Sequence, residues 1–410
     1  MKNLHRHHYH KIRSGSRLFL SARTNYSAAS SKLVVGGKTY EDIPKVVYNI
    51  APPMDHKKEL YVEHNTRLPS ILSALEKAKL TPEFRGSEIV QLNSSRKATL
   101  KDIQSVHYSN YLSILKKFVE DAKSGKPKPK SSDLTFAMQG FQYVTATSYE
   151  VSLAAAGSGL SLVDFAVAAS KINENCPVGF ALMPPPMHHV LRTESGGCCY
   201  FENAGIAARY AQRVHGLNRV LIIDFDVHYL SHTNDAFYDD PDIFVLSTHW
   251  DEGYHGKFDD TGSGRGEGAT LNLPLPEGSG DIAMQSVFDE VIVPCAQKFK
   301  PDIIIVSAGY DGHVVDPTGS FQLTTGTYFT LASGIKQLAK DLCGGRCVFF
   351  LEGGESEGVV SFSVAESFRA FVGEQSMAPE FEKKYAFFLH DEPINKVKQA
   401  IQRTKHLHSI

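Results

Sequence analysis

Apolar residues fall in short, nearly continuous runs through the second half of the chain: VLII (220–223), IFVL (243–246), IIIV (303–306) and VFFL (348–351). Runs that are β-branched or aromatic throughout, with no alternating polar position, predict strands buried on both faces. Between them the pattern shifts to the 3.6-residue period of amphipathic helices. The stretch NAGIAARYAQRVHG (203–216) predicts a helix with Asn203 as N-cap and Gly216 as its stop, feeding the strand RVLIID (219–224). Further strands are predicted over 178–186, 243–248, 302–309 and 346–354, and helices around 281–298 and near 325–341. Alternating strand and helix predicts an α/β fold with a parallel sheet covered on both faces.

Each predicted strand runs out into residues that carry chemistry. Asp224-Phe225-Asp226-Val227-His228 follows RVLI, His249 follows IFVLST, Asp311-Gly312-His313 follows IIIVSAGY, Glu355 follows VFFLEGG, and His188-His189 follow ALMPPP. Ligands of open α/β sheets bind beyond the carboxyl ends of the strands, so these endings are expected to converge on one crevice. Strand alternation places Asp224, Asp226 and His228 on one side, away from Phe225 and Val227. Asp226 and His228 can then share an ion, with Asp311 from another strand end as a third ligand. Two carboxylates, one imidazole and an open fourth position suit catalytic Zn²⁺, and the oxygen-rich set also suits Mn²⁺ or Fe²⁺. His188 and His189 beside that ion would supply a base for a water and an acid for a leaving amine.

Charge and composition narrow the partners. The 410 residues are 42% hydrophobic and 21% charged with a net charge of −2, so no global basic surface points to direct nucleic-acid binding. The longest apolar runs are far shorter than the ~20 residues of a membrane span. The six cysteines (176, 198, 199, 295, 343 and 347) read as reduced thiols, including the pair in CGGRC (343–347). Residues 1–40 have no Asp or Glu but eight Lys/Arg and four His, with a Ser-rich stretch. That is the composition of an organellar transit peptide, so 1–43 is set apart as a transit segment or disordered tail. No Gly/Ser linker or charge block divides 44–375, which reads as one domain with KSGKPKPKSSD (123–133) as a surface excursion. Residues 376–410 read as a C-terminal extension carrying an amphipathic basic helix over 392–409.

In their order along the chain, ALMPPPMHH, GGCCYFEN, DFDVHYLSHTNDAF, LSTH, SAGYDGH and FLEGGE resemble the motif series of the histone deacetylase and acetylpolyamine amidohydrolase family, over roughly 45–375. The resemblance is nearest to the plant organelle-type members. It implies a single three-layer arginase/deacetylase-like α/β/α domain with an eight-stranded, mostly parallel sheet. It also implies Zn²⁺-dependent hydrolysis of acetyl-lysine or related amides, on an acetylated protein or a small acylated amine. By position, Asp226, His228 and Asp311 match the zinc ligands and His188 and His189 the tandem catalytic histidines. Asp224 and Ser247, with backbone carbonyls of Asp226, His228 and Thr248, match a structural K⁺ site. The implied location is chloroplast or mitochondrion, with cytoplasm or nucleus as the alternative.

The departures from the family lie around that centre. Pro184-Pro185-Pro186-Met187 replaces Arg-Pro-Pro-Gly before the two histidines, and Gly197-Cys198 replaces the Gly-Phe whose ring lines the acyl tunnel. Tyr229-Leu230-Ser231-His232 replaces His-Gly-Asn/Asp-Gly, so Ser231 stands where an Asn or Asp orients the second histidine. Glu355 stands where Gly-Gly-Tyr supplies the phenol that stabilises the oxyanion. Loss of one such donor lowers kcat by about 10²–10³. An ionised Glu355 would repel the developing charge, whereas burial beside another anion would keep it protonated and able to donate. Two further arrangements make Glu355 an extra metal ligand, or leave it in solvent with Tyr229 or Tyr254 swung in. Three functions follow: a zinc deacetylase of reduced or altered activity, a metal-binding inactive homologue that acts through partners or ligands, and a binuclear manganese hydrolase of arginase type. The last needs more aspartates than Asp316, five residues past Asp311.

Overall fold

The computed structural model describes residues 32–35, 37–53, 66–92, 96–127, 144–172, 176–184, 188–190, 192–193, 200–229, 231–253 and 256–410. The N-terminal segment (1–31), Pro185 to Met187, Gly197 to Cys199, Leu230, Tyr254 and the side chains of Ser231 and His232 lie outside the described residues. So does the later part of the 123–133 excursion.

Leu33–Val35 (β1) and Lys38–Tyr40 (β2) form an antiparallel hairpin. The other strands are Val46–Ile50 (β3), Ile89–Gln91 (β4), Val178–Leu182 (β5), Val220–Asp224 (β6), Ile243–Trp250 (β7), Thr270–Leu275 (β8), Ile303–Ala308 (β9) and Cys347–Leu351 (β10). They form one eight-stranded sheet in the order β4-β3-β5-β10-β9-β6-β7-β8, parallel at every pairing. Every residue of β6 and β9 is buried, as their unbroken apolar sequence requires.

Alternate residues on each strand serve opposite layers. Leu221, Ile223, Ile304 and Val306 enter the core shared with helices Thr325–Cys343 and Glu357–Val372. Val220, Ile222, Ile303 and Ile305 enter the core shared with helices Ser148–Ser170 and Asn203–His215. Each fully buried Leu, Ile or Val contributes about 1.5–3 kcal/mol relative to exposure. The layers are tight: a Cβ on Gly159 would overlap the Phe350 ring of β10. Gly159→Ala is therefore an overpacking change of about 1–3 kcal/mol.

Three elements differ from the sequence expectation. Helix Ser148–Ser170 is long and apolar enough to cross a membrane by length and composition alone, yet most of it is packed inside the protein. It is apolar all round, so it has no amphipathic period to reveal it. The helix expected over 281–298 runs as Asp281–Val287, a π turn Phe288–Ile292 and Val293–Phe299. Pro294 explains the widened turn, because it removes one helical N–H. Strand β7 continues two residues past Thr248, so His249 lies in the sheet rather than beyond it. Near the carboxyl end of the chain, helix Ile394–His408 packs along β8 and buries Val397, Ala400 and Ile401.

Candidate metal centre

The sheet order sets β5, β10, β9 and β6 side by side, so their carboxyl ends open on one place. His188 and His189 arrive from β5, Glu352 to Glu355 from β10, Asp311 from β9, and Asp224 to His228 from β6.

The turn after β6 is built by its own carboxylates. Asp226 N donates to Asp224 Oδ1 (2.9 Å), His228 N to Asp226 Oδ1 (3.0 Å) and Val227 N to Asp311 Oδ1 (3.0 Å). Gly353 N of the β10 turn donates to Asp226 Oδ2 (2.8 Å). A Cβ on Gly353 would overlap the Oδ2 atoms of both Asp311 and Asp226, so this position requires glycine. His228 Nδ1 lies 3.1 Å from Asp226 Oδ1 and 2.9 Å from Asp311 Oδ2. One ligand atom from each of Asp226, His228 and Asp311 falls within 4.8 Å of the others, a set able to hold a metal ion.

The electrostatics favour a cation. Asp224, Asp226 and Asp311 are at most 1% exposed, and buried carboxylates require compensating positive charge. Burial pulls His228 down, but its hydrogen bonds to Asp226 and Asp311 outweigh this and push it up to about 11. Burial and the Asp226 charge lift Asp311 to about 7. Burial alone would raise Asp226, but the His188 charge and the His228 hydrogen bond hold it well below the usual carboxylate range. In effect the triad grips a proton where a divalent ion would serve the same electrostatic need.

His188 is fully buried, with Nδ1 3.1 Å from Asp224 Oδ2 and its backbone N donating to Glu352 Oε2 (3.3 Å). Its Nε2 has no hydrogen-bond partner and lies 3.6 Å from Asp226 Oδ2, an orphaned buried atom aimed into the centre. The rings of His188 and His189 have centroids 4.0 Å apart, and His189 lies 5.8 Å from the His228 ring. Three of the five strand endings thus bring donors together.

The other endings behave differently. His249 bonds Ser247 Oγ through Nδ1 (2.8 Å) and the Gly256 carbonyl through Nε2 (3.1 Å), under the Tyr229 ring. Burial holds it down to about 4, so it is a neutral packing residue one strand away. His313 turns aside to Glu382 Oε1 (3.3 Å) and accepts from Val315 N. The expected convergence of every strand-end histidine is thus corrected: the sheet carries His249, and the loop after β9 folds His313 back on the helix Ala378–Glu382. Among the described residues Glu355 does not join the cluster of ligand atoms. Its backbone N, with that of Ser356, donates to Asp316 Oδ2 (2.8 and 3.0 Å). Asp316 also takes Thr318 N and Oγ1, so it staples the β10 turn. The Tyr229 hydroxyl accepts from Asn234 Nδ2 (3.0 Å), which ties the phenol to the helix Ser231–Phe237. Asp224 and Ser247 are register partners on β6 and β7, with Asp224 Oδ1 and Oδ2 facing Asp226 N and His188 and Ser247 Oγ facing His249.

Sequence reasoning overlooked Glu352, Glu202 and Arg67. Glu352 lay inside FLEGGE as a motif letter, and the strand it follows was the available sign. Glu202, rather than the expected Asn203, is the N-cap of helix Asn203–His215; it is buried and accepts from Thr233 Oγ1 (3.0 Å), while burial lifts it to about 7. Arg67, buried, donates to the Glu352 carbonyl. Nothing local in the sequence marks it.

Comparison with known proteins agrees with this geometry. The histone deacetylase domain family matches residues 61–371. The chain is 52% identical over 369 residues to "Histone deacetylase 14, chloroplastic" of Arabidopsis thaliana, covering 89% of this chain and 85% of that protein. It is 50% identical over 368 residues to "Histone deacetylase 10, chloroplastic" of Oryza sativa subsp. japonica, covering 89% and 81%. A solved structure described as "Crystal Structure of HDA15 HD domain" superposes with a TM-score of 0.69 at 25% identity, covering 89% of this chain and 94% of that one.

Proposed function

This chain belongs to the histone deacetylase family, and on that premise we propose that it is a zinc-dependent amidohydrolase of acetyl-lysine or related N-acyl amides. The observation that carries the reading is the buried triad Asp226, His228 and Asp311 with the orphaned Nε2 of His188 beside it. Zn²⁺ held by those three residues would supply a Lewis acid that polarises an amide carbonyl and acidifies a water.

The chain's own residues do the rest. Asp224 orients His188 through Nδ1 and leaves Nε2 toward the centre, the arrangement of a base positioned to take a proton. His189, one ring away, is placed to give a proton to a leaving amine nitrogen. Glu352 holds the His188 backbone, so the strand β10 turn and the histidine pair move together. Glu355 replaces the phenolic donor and reduces turnover. The substrate is an acetylated protein or a small acylated amine. The names of the two plant relatives and the basic, acid-free N-terminal segment favour a plastid location.

One observation favours a second reading, a metal-binding homologue without turnover that acts through partners or ligands. By the resemblance Glu355 stands where the family has the oxyanion phenol, and the Tyr229 hydroxyl is tied to Asn234. Metal analysis and an acetyl-lysine peptide assay on wild type and His189→Ala separate the two. Metal with turnover that His189→Ala abolishes supports the enzyme, metal without turnover supports the second reading, and absence of metal overturns both.

A further inference from the structure

At the opposite end of the sheet lies a cavity of about 230 Å³ between the amino ends of β6, β7 and β8 and the helix Val293–Phe299. Arg219 directly precedes β6, Ala269 directly precedes β8, and Phe244 is the second residue of β7. The metal centre follows the carboxyl end of β6, so the two places are separated by at least that strand, roughly 16 Å at about 3.3 Å per residue.

Two cations line this cavity and are only partly used. Arg219 donates one nitrogen to the Phe299 carbonyl, with its guanidinium 4.6 Å over the Phe299 ring. Lys298 Nζ donates to the carbonyls of His408 (2.7 Å) and Ser409 (3.3 Å), which leaves one N–H. His408 is 8% exposed, and its buried Nε2 has no hydrogen-bond partner. Burial, with the Lys298 charge, holds His408 below its usual range against a backbone contact with Gly268, so at neutral pH the ring is uncharged. Glu267 on the wall faces Thr261 Oγ1 (2.8 Å), and the last residue, Ile410, lines the cavity as well. The Phe244 and Phe299 rings, 5.4 Å apart, make the apolar side.

We infer that this cavity is a binding site for a small organic carboxylate with a compact apolar body. A carboxylate is planar and matches the Arg219 fork, whereas a phosphate would need more donors than Arg219 and Lys298 have left. Its second oxygen takes the N–H that Lys298 keeps after bonding the His408 and Ser409 carbonyls. The body lies against Phe244 and Phe299. Cavities of about 150 Å³ hold benzene, so this one has room for such a ring and its acid group.

Calorimetric titration of the full chain with sodium benzoate tests the site independently of any deacetylase activity. Saturable one-to-one binding is expected, at equal affinity with and without prior chelator treatment. Benzamide, neutral and of the same shape, binds about tenfold more weakly, and inorganic phosphate does not compete. Arg219→Lys keeps the charge but loses the fork, and weakens benzoate about tenfold with unchanged circular dichroism. Ala269→Leu fills the cavity from the other wall and abolishes binding, which covers the case in which the arginine variant does not fold. The site is overturned by absence of saturable binding up to about 10 mM, the weak limit for so few atoms. It is equally overturned by equal affinity for benzamide, by phosphate competition, by binding that chelator removes, or by unchanged affinity in both variants.

Discussion

The ends of β6 and β9 and the end of β10 meet at the same centre but hold their side chains by different means. After β6, the carboxylates are part of the backbone's own hydrogen bonding: Asp224 takes Asp226 N, Asp226 takes His228 N and Gly353 N, and Asp311 takes Val227 N. Removing Asp226 or Asp311 opens a buried turn as well as a candidate ligand position. After β10 the relation is reversed, because Asp316 receives the backbone N of Glu355 and of Ser356. The backbone of this turn is held by Asp316. The metal-competent carboxylates are therefore tied to the fold through their own side chains, whereas residue 355 is tied to it through its backbone N.

The largest effect is expected at those carboxylates. Asp311→Ala should weaken metal binding by roughly 10³-fold or more, beyond the 10–100-fold typical of residues that only orient ligands. Chelator competition with elemental analysis measures this, and stoichiometric metal in the variant would break the contrast. At residue 355, Glu355→Tyr should leave metal content unchanged and raise acetyl-lysine peptide turnover by about 10²–10³. Loss of metal in that variant would show that the side chain of residue 355 also bears on the metal set.

Two glycines sharpen the same distinction at smaller scale. Gly353→Ala drives a Cβ into Asp226 and Asp311 and should destabilise by about 1–3 kcal/mol while loosening metal. Gly358→Ala, in the first turn of the next helix with open space around it, should change stability by no more than ~0.5 kcal/mol. Equal effects in denaturant melts would mean that the crowding at Gly353 is relieved by movement of the turn.

A pH-dependent effect is expected at the segment after His228, which Glu202 clamps through Thr233. Burial lifts Glu202 to about 7 from an ordinary 4.5, so the folded protein keeps a proton that the unfolded chain has lost. That stability is fully present below about pH 4.5 and is lost as pH rises through about 7. The change is on the order of 3 kcal/mol. Glu202→Gln should flatten the melting temperature between those limits, and an unchanged slope would assign the dependence to other groups.

Much of this was legible in the chain. Continuous apolar runs announce a parallel sheet because a strand buried on both faces has no polar position to spare. Period-two alternation was enough to pair Asp226 with His228. Roles that depend on neighbours were not legible. His249 and His313 look as metal-competent as His228 by residue type, yet one is used inside β7 and the other by Glu382. Helix Ser148–Ser170 escaped because a helix buried all round has no polar face.

The sequence by itself determined five of the eight sheet strands (β5, β6, β7, β9 and β10), the α/β class and the residue types at those strand ends, because these follow from local spacing and residue type. Only the tertiary structure decided which ends meet. The order β5-β10-β9-β6 sets residues 188, 352, 311 and 226 together although the chain visits them in the order 188, 226, 311, 352. It also decided that Glu352 holds His188 and that Asp316 holds the turn bearing Glu355, because hydrogen bonds between distant residues leave no local pattern to read.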